Sequence, residues 1–330
     1  MHTHVKRIFF LLLPVLILVS CKKSSAPPAA SDSYNNRLGF IMSDNFDLTL
    51  FNVGLTYTHY SDTLLQPGPY TVLAPSDEAF EAAGYTNAVA VQAAGGLMNQ
   101  IIGYHILRGT YQLNLLPYEF NQQIRTLDGD LMYVTHWVKN ADTVITINGA
   151  TIESLNLPAS NGLIQVLNQV LSPALYDNVQ EAITADSSLT YFNAALLQSG
   201  LLTTLQGAGP FTVFAPTNTA FRSAGFLTTD SINRTDPAVL TALLTYHILS
   251  GRRFVNDYIL TTGATNTSVQ GMLDSNNVTI NLVAGSIPGS FSGITVQGSG
   301  NKTASNLIRQ NVLAGNGVLH TIDQVLETNF

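Results

Sequence analysis

Two tandem domains of mixed helix and strand are the fold that the sequence predicts. The first observation is a repeat. Residues 70–80 (Tyr-Thr-Val-Leu-Ala-Pro-Ser-Asp-Glu-Ala-Phe) return 141 positions later as residues 211–221 (Phe-Thr-Val-Phe-Ala-Pro-Thr-Asn-Thr-Ala-Phe). Extended to Gly84 and Gly225, the copies agree at 8 of 15 positions, and so long a period marks a duplicated unit. Second, apolar residues within each copy change from helical spacing to short β-forming runs. Third, 330 residues, 45% of them hydrophobic, suffice for two full cores.

The repeated box has a physical reading. Thr71 to Ala74 are an apolar β-forming run, hence a buried strand that Pro75 ends. Ser76, and Thr217 in the second copy, is placed to cap a short helix, with Asp77 and Glu78 at the positive end of its dipole. Phe80 and Phe221 turn into the core, and Gly84 and Gly225 stop the helix. The bonds Ala74-Pro75 and Ala215-Pro216 are expected trans by default.

In chain order, residues 1–20 read as a signal peptide: Lys6 and Arg7, then an apolar run over 8–19 too short to span a bilayer comfortably. The run ends Leu18-Val19-Ser20-Cys21, which resembles a bacterial lipobox. That resemblance implies cleavage before Cys21 and lipid on its thiol and amino group. Cys21 is the sole cysteine, so no intrachain disulfide or Cys-based metal site can form. Residues 21–36, rich in Ser, Ala and Pro, read as a flexible lipid-anchored tether. The expected location is therefore the bacterial cell envelope, at the outer membrane.

Domain 1 is expected over 37–173. Leu48 to Asn52 open a helix; a second carries Leu97, Met98, Ile101, Ile102, His105 and Ile106 on one face and ends at Gly109. Strands follow over 131–135 and 143–147, the latter before the turn pair Asn148-Gly149. Residues 161–171 close the unit. Domain 2, over 174–330, repeats the plan: a helix from Leu189 to the stop at Gly200, the box, and a helix with Leu240, Leu243, Leu244, His247 and Ile248 ending at Gly251. Residues 316–326 close it, 155 positions after their counterpart, so 13 extra residues fall after residue 250. The Thr-, Asn- and Ser-rich stretch 261–305 is expected to be either a long solvated loop or a functional insertion.

Three motifs recur in register: the box, Tyr104-His-Ile-Leu107 with Tyr246-His-Ile-Leu249, and the closing Asn-Gly segment. Together they resemble the fasciclin-like (FAS1) domain. The resemblance covers about 37–330. It implies an α+β fold, a wedge of two short sheets flanked by helices, and a non-catalytic role in adhesion or matrix contact. Repeat one departs from the closing motif, with Gln165 and Asn168 where the pattern has histidine and aspartate.

The candidate partner-binding residues are Tyr104, His105, Tyr246, His247 and Trp137. In animal members the Tyr-His region is implicated in receptor contact. His105 and His247 also sit on apolar stripes, which suits a structural imidazole. Trp137, the single tryptophan, is a candidate platform for a sugar, with a hairpin-covering role as the alternative. No nucleophile elbow, zinc-binding His-Glu pair or phosphate loop occurs. No enzyme activity, metal or cofactor is expected. A net charge of −7 without a basic patch argues against nucleic acid. The expected partners are the membrane, through Cys21, and an extracellular protein, or alternatively a glycan of a polysaccharide uptake system.

Overall fold

A computed structural model describes residues 34–329. The signal segment, Cys21 and the tether up to residue 33 lie outside the described residues. Tyr34–Asn36, expected in the tether, form a 3-10 turn instead. The Tyr34 ring packs edge-on to Phe40 at 5.2 Å, and the Asn36 carbonyl accepts from Ser160 N at 2.8 Å, which ties the turn to the first domain.

Each half folds around one seven-stranded curled sheet. In domain 1 the strands are β1 (Tyr70–Pro75), β2 (Ile106–Arg108), β3 (Glu119–Arg125), β4 (Leu131–Lys139), β5 (Asp142–Ile147), β6 (Ala150–Ala159) and β7 (Gly162–Leu167), in the order β2-β1-β7-β6-β5-β4-β3. Domain 2 repeats that order with β8 (Phe211–Pro216), β9 (Ile248–Ser250), β10 (Thr267–Gly271), β11 (Asn277–Ala284), β12 (Phe291–Gly298), β13 (Ser305–Ala314) and β14 (Gly317–Ile322): β9-β8-β14-β13-β12-β11-β10.

The box strands are central. β1 runs parallel to β7 and antiparallel to β2, and all six of its residues are buried. A strand covered on both faces needs an apolar run rather than an alternation. The caps form as expected: Ala79 N donates to Ser76 Oγ and Ala220 N to Thr217 Oγ1, both at 3.3 Å. Helices cover the β1/β2/β7 leaf, where Phe51, Phe80 and Ile102 pack against Val72, Ala74 and Ile164. Phe192, Phe221 and Leu240 meet Val213, Ala215 and Leu319 in domain 2.

The sheet becomes a wedge because one long strand serves both leaves. β6 pairs with β5 through Ala150 and Thr151, then with β7 after register breaks near Ile152 and Ser154. β13 breaks register likewise near Leu307 and Arg309. Asn156 and Asn311 stand at these bulges with left-handed φ of 56° and 59°, a conformation asparagine tolerates better than most residues.

Three expectations need correction. The helix expected to run through Ile106 stops at Tyr104, and Ile106–Arg108 become β2 because Thr71 and Leu107 pair across the ladder. The same substitution of strand for helix gives Pro237–Thr245 and then β9. The box prolines are trans as expected, and the cis bonds among the described residues are Gly68-Pro69 and Gly209-Pro210. The stretch 261–305 is not one long loop but carries the strands β10, β11 and β12. The longest addition lies before them: 251–266 replace 109–118 and contain an extra helix, Val255–Thr261.

Candidate functional site

Both Tyr-His pairs are interior. Tyr104 and His105 have no exposed surface, nor does His247, and Tyr246 is 1% exposed. His105 Nδ1 donates to Ile101 O (2.7 Å), and its Nε2 accepts from Leu171 N (3.0 Å). His247 repeats this with Leu243 O (2.8 Å) and Leu326 N (2.9 Å). Each imidazole thus spends its donor and its acceptor on backbone, pinning a helix end to the chain beyond the closing strand. Burial pushes both rings down to about 4 from the ordinary 6.5, so they are neutral at pH 7. The Tyr104 hydroxyl donates to Leu131 O and accepts from Asn148 Nδ2; that of Tyr246 donates to Asn277 O and accepts from Ser299 N. None of these atoms is offered to a partner; they join the two leaves of each wedge.

The closing motif explains its own departure. In domain 2 His320 Nδ1 accepts from Asn311 N (3.2 Å) and Nε2 donates to Arg253 O (3.0 Å). In domain 1 Gln165 Oε1 accepts from Asn156 N (2.8 Å) and Nε2 donates to Tyr111 O (3.1 Å). Asn156 and Asn311 are the matching bulge residues. A carboxamide presents one acceptor and one donor, as a neutral imidazole does, and so bridges the same gap. Asn168 likewise accepts from Thr151 N where Asp323 accepts from Asn306 N, both at 2.8 Å.

The polar constellation that sequence reasoning missed lies between the domains. Val255–Thr261, the added helix, presents Asp257 to domain 1. Asp257 has no exposed surface. Its carboxylate accepts from Phe254 N (2.9 Å), from Asn121 Nδ2 (3.1 Å) and from Thr135 Oγ1 (3.0 Å). Burial raises its pKa, while these three donors and nearby Arg253 act to lower it. Asn256 Nδ2 donates to Gly149 O at 2.6 Å, and Lys139 Nζ donates to Thr262 O. The Arg252 guanidinium lies 3.9 Å from the Tyr133 ring centre and donates to the carbonyls of Ala314, Gly315 and Gly317. Phe254 enters a core shared with Tyr104, Leu107 and Val134 of domain 1. The only local signal for all this was an acid three residues after Phe254, where a helix start can use one.

Trp137 belongs to this junction. On β4 it shares a face with Tyr133, Thr135 and Lys139, which all touch domain 2. It is half-buried and its ring centre lies 4.7 Å from that of Phe120, over which Arg253 is placed. Among the described residues, no three His, Cys, Asp or Glu side chains gather as a metal site would require.

A motif-bearing double domain of this kind is an α+β repeat protein whose conserved-type boxes build the frame. The Fasciclin domain family model matches residues 47–173 and 187–328, and the chain belongs to that family. Human periostin is 29% identical over 292 residues, covering 84% of this chain and 31% of its own length. The transforming growth factor-beta-induced protein ig-h3 of Sus scrofa is 27% identical over 273 residues, covering 79% and 35%. The chain thus spans about a third of the length of these curated relatives. A solved FAS1 domain pair from the insect cell adhesion molecule fasciclin I aligns over 84% of this chain and 95% of its own, at 18% identity and a TM-score of 0.41.

Proposed function

We propose that the protein is a non-catalytic binding module of the bacterial cell envelope, held to the membrane by lipid on Cys21, which presents two docked fasciclin domains to an extracellular protein or matrix partner. Membership of the fasciclin family across both domains supports this reading. The observation that carries it is the commitment of the motif histidines and of Asp257 to internal bonds. His105, His247, His320 and Asp257 each satisfy backbone or inter-domain partners, which makes them framework and leaves recognition to the exposed surface. The glycan reading is the weaker one, because the Trp137 ring already packs on Phe120.

The test is binding of purified residues 22–330 to an array that carries matrix proteins and glycans side by side. Saturable binding to proteins is expected. Binding confined to sugars, or turnover of any arrayed compound, overturns the reading. Cys21→Ala is expected to move the protein from the membrane fraction to the soluble one; retention on membranes would remove the lipid anchor from the proposal.

A further inference from the structure

Pro237–Thr245, the last helix before β9, carries apolar side chains on two faces. Leu240 and Leu244 are wholly buried in the domain 2 core. Val239, Ala242, Leu243 and Tyr246 follow the spacing i, i+3, i+4, i+7 and form a second row. With Leu326 they line an open groove of about 810 Å³. Val239 is 55% exposed there. The charged residues of the lining are both acidic: Asp274 in the β10–β11 turn and Glu327 after β14.

Domain 1 differs at the flank of the corresponding helix, Gly96–Tyr104. Tyr60 occupies the position of Leu201 in the second repeat, and its hydroxyl donates to Asp128 Oδ2 at 2.7 Å. The Tyr60 ring lies against Gly103, where an added Cβ would come 2.5 Å from its hydroxyl and 2.0 Å from Asp128. Domain 2 has Thr245 at that position. Ile101, the counterpart of Leu243, is 4% exposed. Domain 2 has Leu201 in place of that tyrosine, and Asp274, the counterpart of Asp128, lines the groove.

We propose that the groove binds a short apolar segment of a partner protein flanked by lysine or arginine. This rests on the binding-module reading above and names the chemistry of its partner. The accessible part of the row, Val239 to Leu243, runs about 6 Å along the helix axis, the length of about two extended residues. Its lining offers apolar surface and two carboxylates, which steer a cationic segment and repel an acidic one. The same charges disfavour a second copy of this chain: the most exposed aromatic among the described residues, Phe46 (92% exposed), sits between Asp44 and Asp47.

Three synthetic peptides test the proposal by fluorescence anisotropy on residues 22–330. One has a Leu-Val-Phe core between pairs of lysines, one the same core between pairs of glutamates, and one a serine core between lysines. The first is expected to bind, with the other two about tenfold weaker or more. Ala242→Trp, at an exposed position, fills the groove and is expected to weaken the first peptide by about tenfold or more. Val239→Ser, which removes apolar surface without adding bulk, is expected to weaken it several-fold, and serves where the tryptophan lowers the melting temperature. Glu327→Lys is expected to weaken the lysine-flanked peptide and strengthen the glutamate-flanked one. Equal binding of the serine-cored peptide, absent binding of the first, or wild-type affinity in folded Ala242→Trp and Val239→Ser overturns the groove. Protein binding on the array with this outcome leaves the binding-module reading standing; an array silent for proteins sinks that reading even where the peptide binds.

Discussion

His320 and Gln165 do the same work in the two domains, each joining a bulge N–H to a carbonyl across the sheet. His320→Gln is therefore expected to fold, whereas His320→Leu strands both partners and is expected to cost about 2–3 kcal/mol. Acid sensitivity separates the two residue types. His105, His247 and His320 are each held at about 4 by burial, against 6.5 in an open chain. Between those values the unfolded chain binds protons that the folded chain refuses. Stability is thus full above pH 6.5 and is lost as pH falls toward about 4, by on the order of 3 kcal/mol per histidine. Urea unfolding at a series of pH values checks this: His320→Gln should remove about a third of the acid-side loss. An unchanged acid slope would mean that the ring takes up protons in the folded state. At this scale the sequence was readable in part. Helical spacing put His105 and His247 among apolar residues, but the donors to their rings, Leu171 N and Leu326 N, come from 66 and 79 positions away.

Local elements were legible where local chemistry decides them. The box strand, its proline, its Ser or Thr cap and its glycine stop were all readable, because each depends on neighbours within a few residues. β2 and β9 were not. An apolar run that continues a helical period past His105 is released from the helix only by pairing with β1, which no local pattern reveals. The added helix Val255–Thr261 is the least legible and the most consequential. Asp257→Ala leaves Phe254 N, Asn121 Nδ2 and Thr135 Oγ1 without their acceptor, and is expected to cost about 2–4 kcal/mol. Gly149→Ala attacks the same seam. Gly149 has φ +86°, and a Cβ there would lie 3.1 Å from Phe254 Cβ and 2.7 Å from Asn311 Nδ2. Both variants are expected to split one thermal transition into two, seen by calorimetry. A single transition at the wild-type temperature in both would mean that the seam contributes nothing to cohesion.

For the whole molecule, the duplication was plain from the sequence and the docking of its halves was not. Phe254, Leu313 and Val318 of domain 2 share a core with Tyr104 and Val134 of domain 1. Residues 34–173 and 174–329, produced separately, are accordingly expected to melt below the intact chain, and domain 2 to expose the Phe254 face to a hydrophobic dye. Halves as stable as the whole would reduce the seam to mere proximity. The seam also has a polarity. Its plug is the helix that only the second copy possesses. Its socket is the β4 row of Tyr133, Thr135 and Trp137, and β11 places Thr279, Asn281 and Val283 at the matching register. The aromatic bed and the hydroxyl that receives the plug's carboxylate are therefore missing from the far copy. Two such units can click together once, but the joint does not reproduce itself: a further unit brought up to domain 2 would find no seat of this kind, so these residues encode a matched pair rather than the first links of a growing filament.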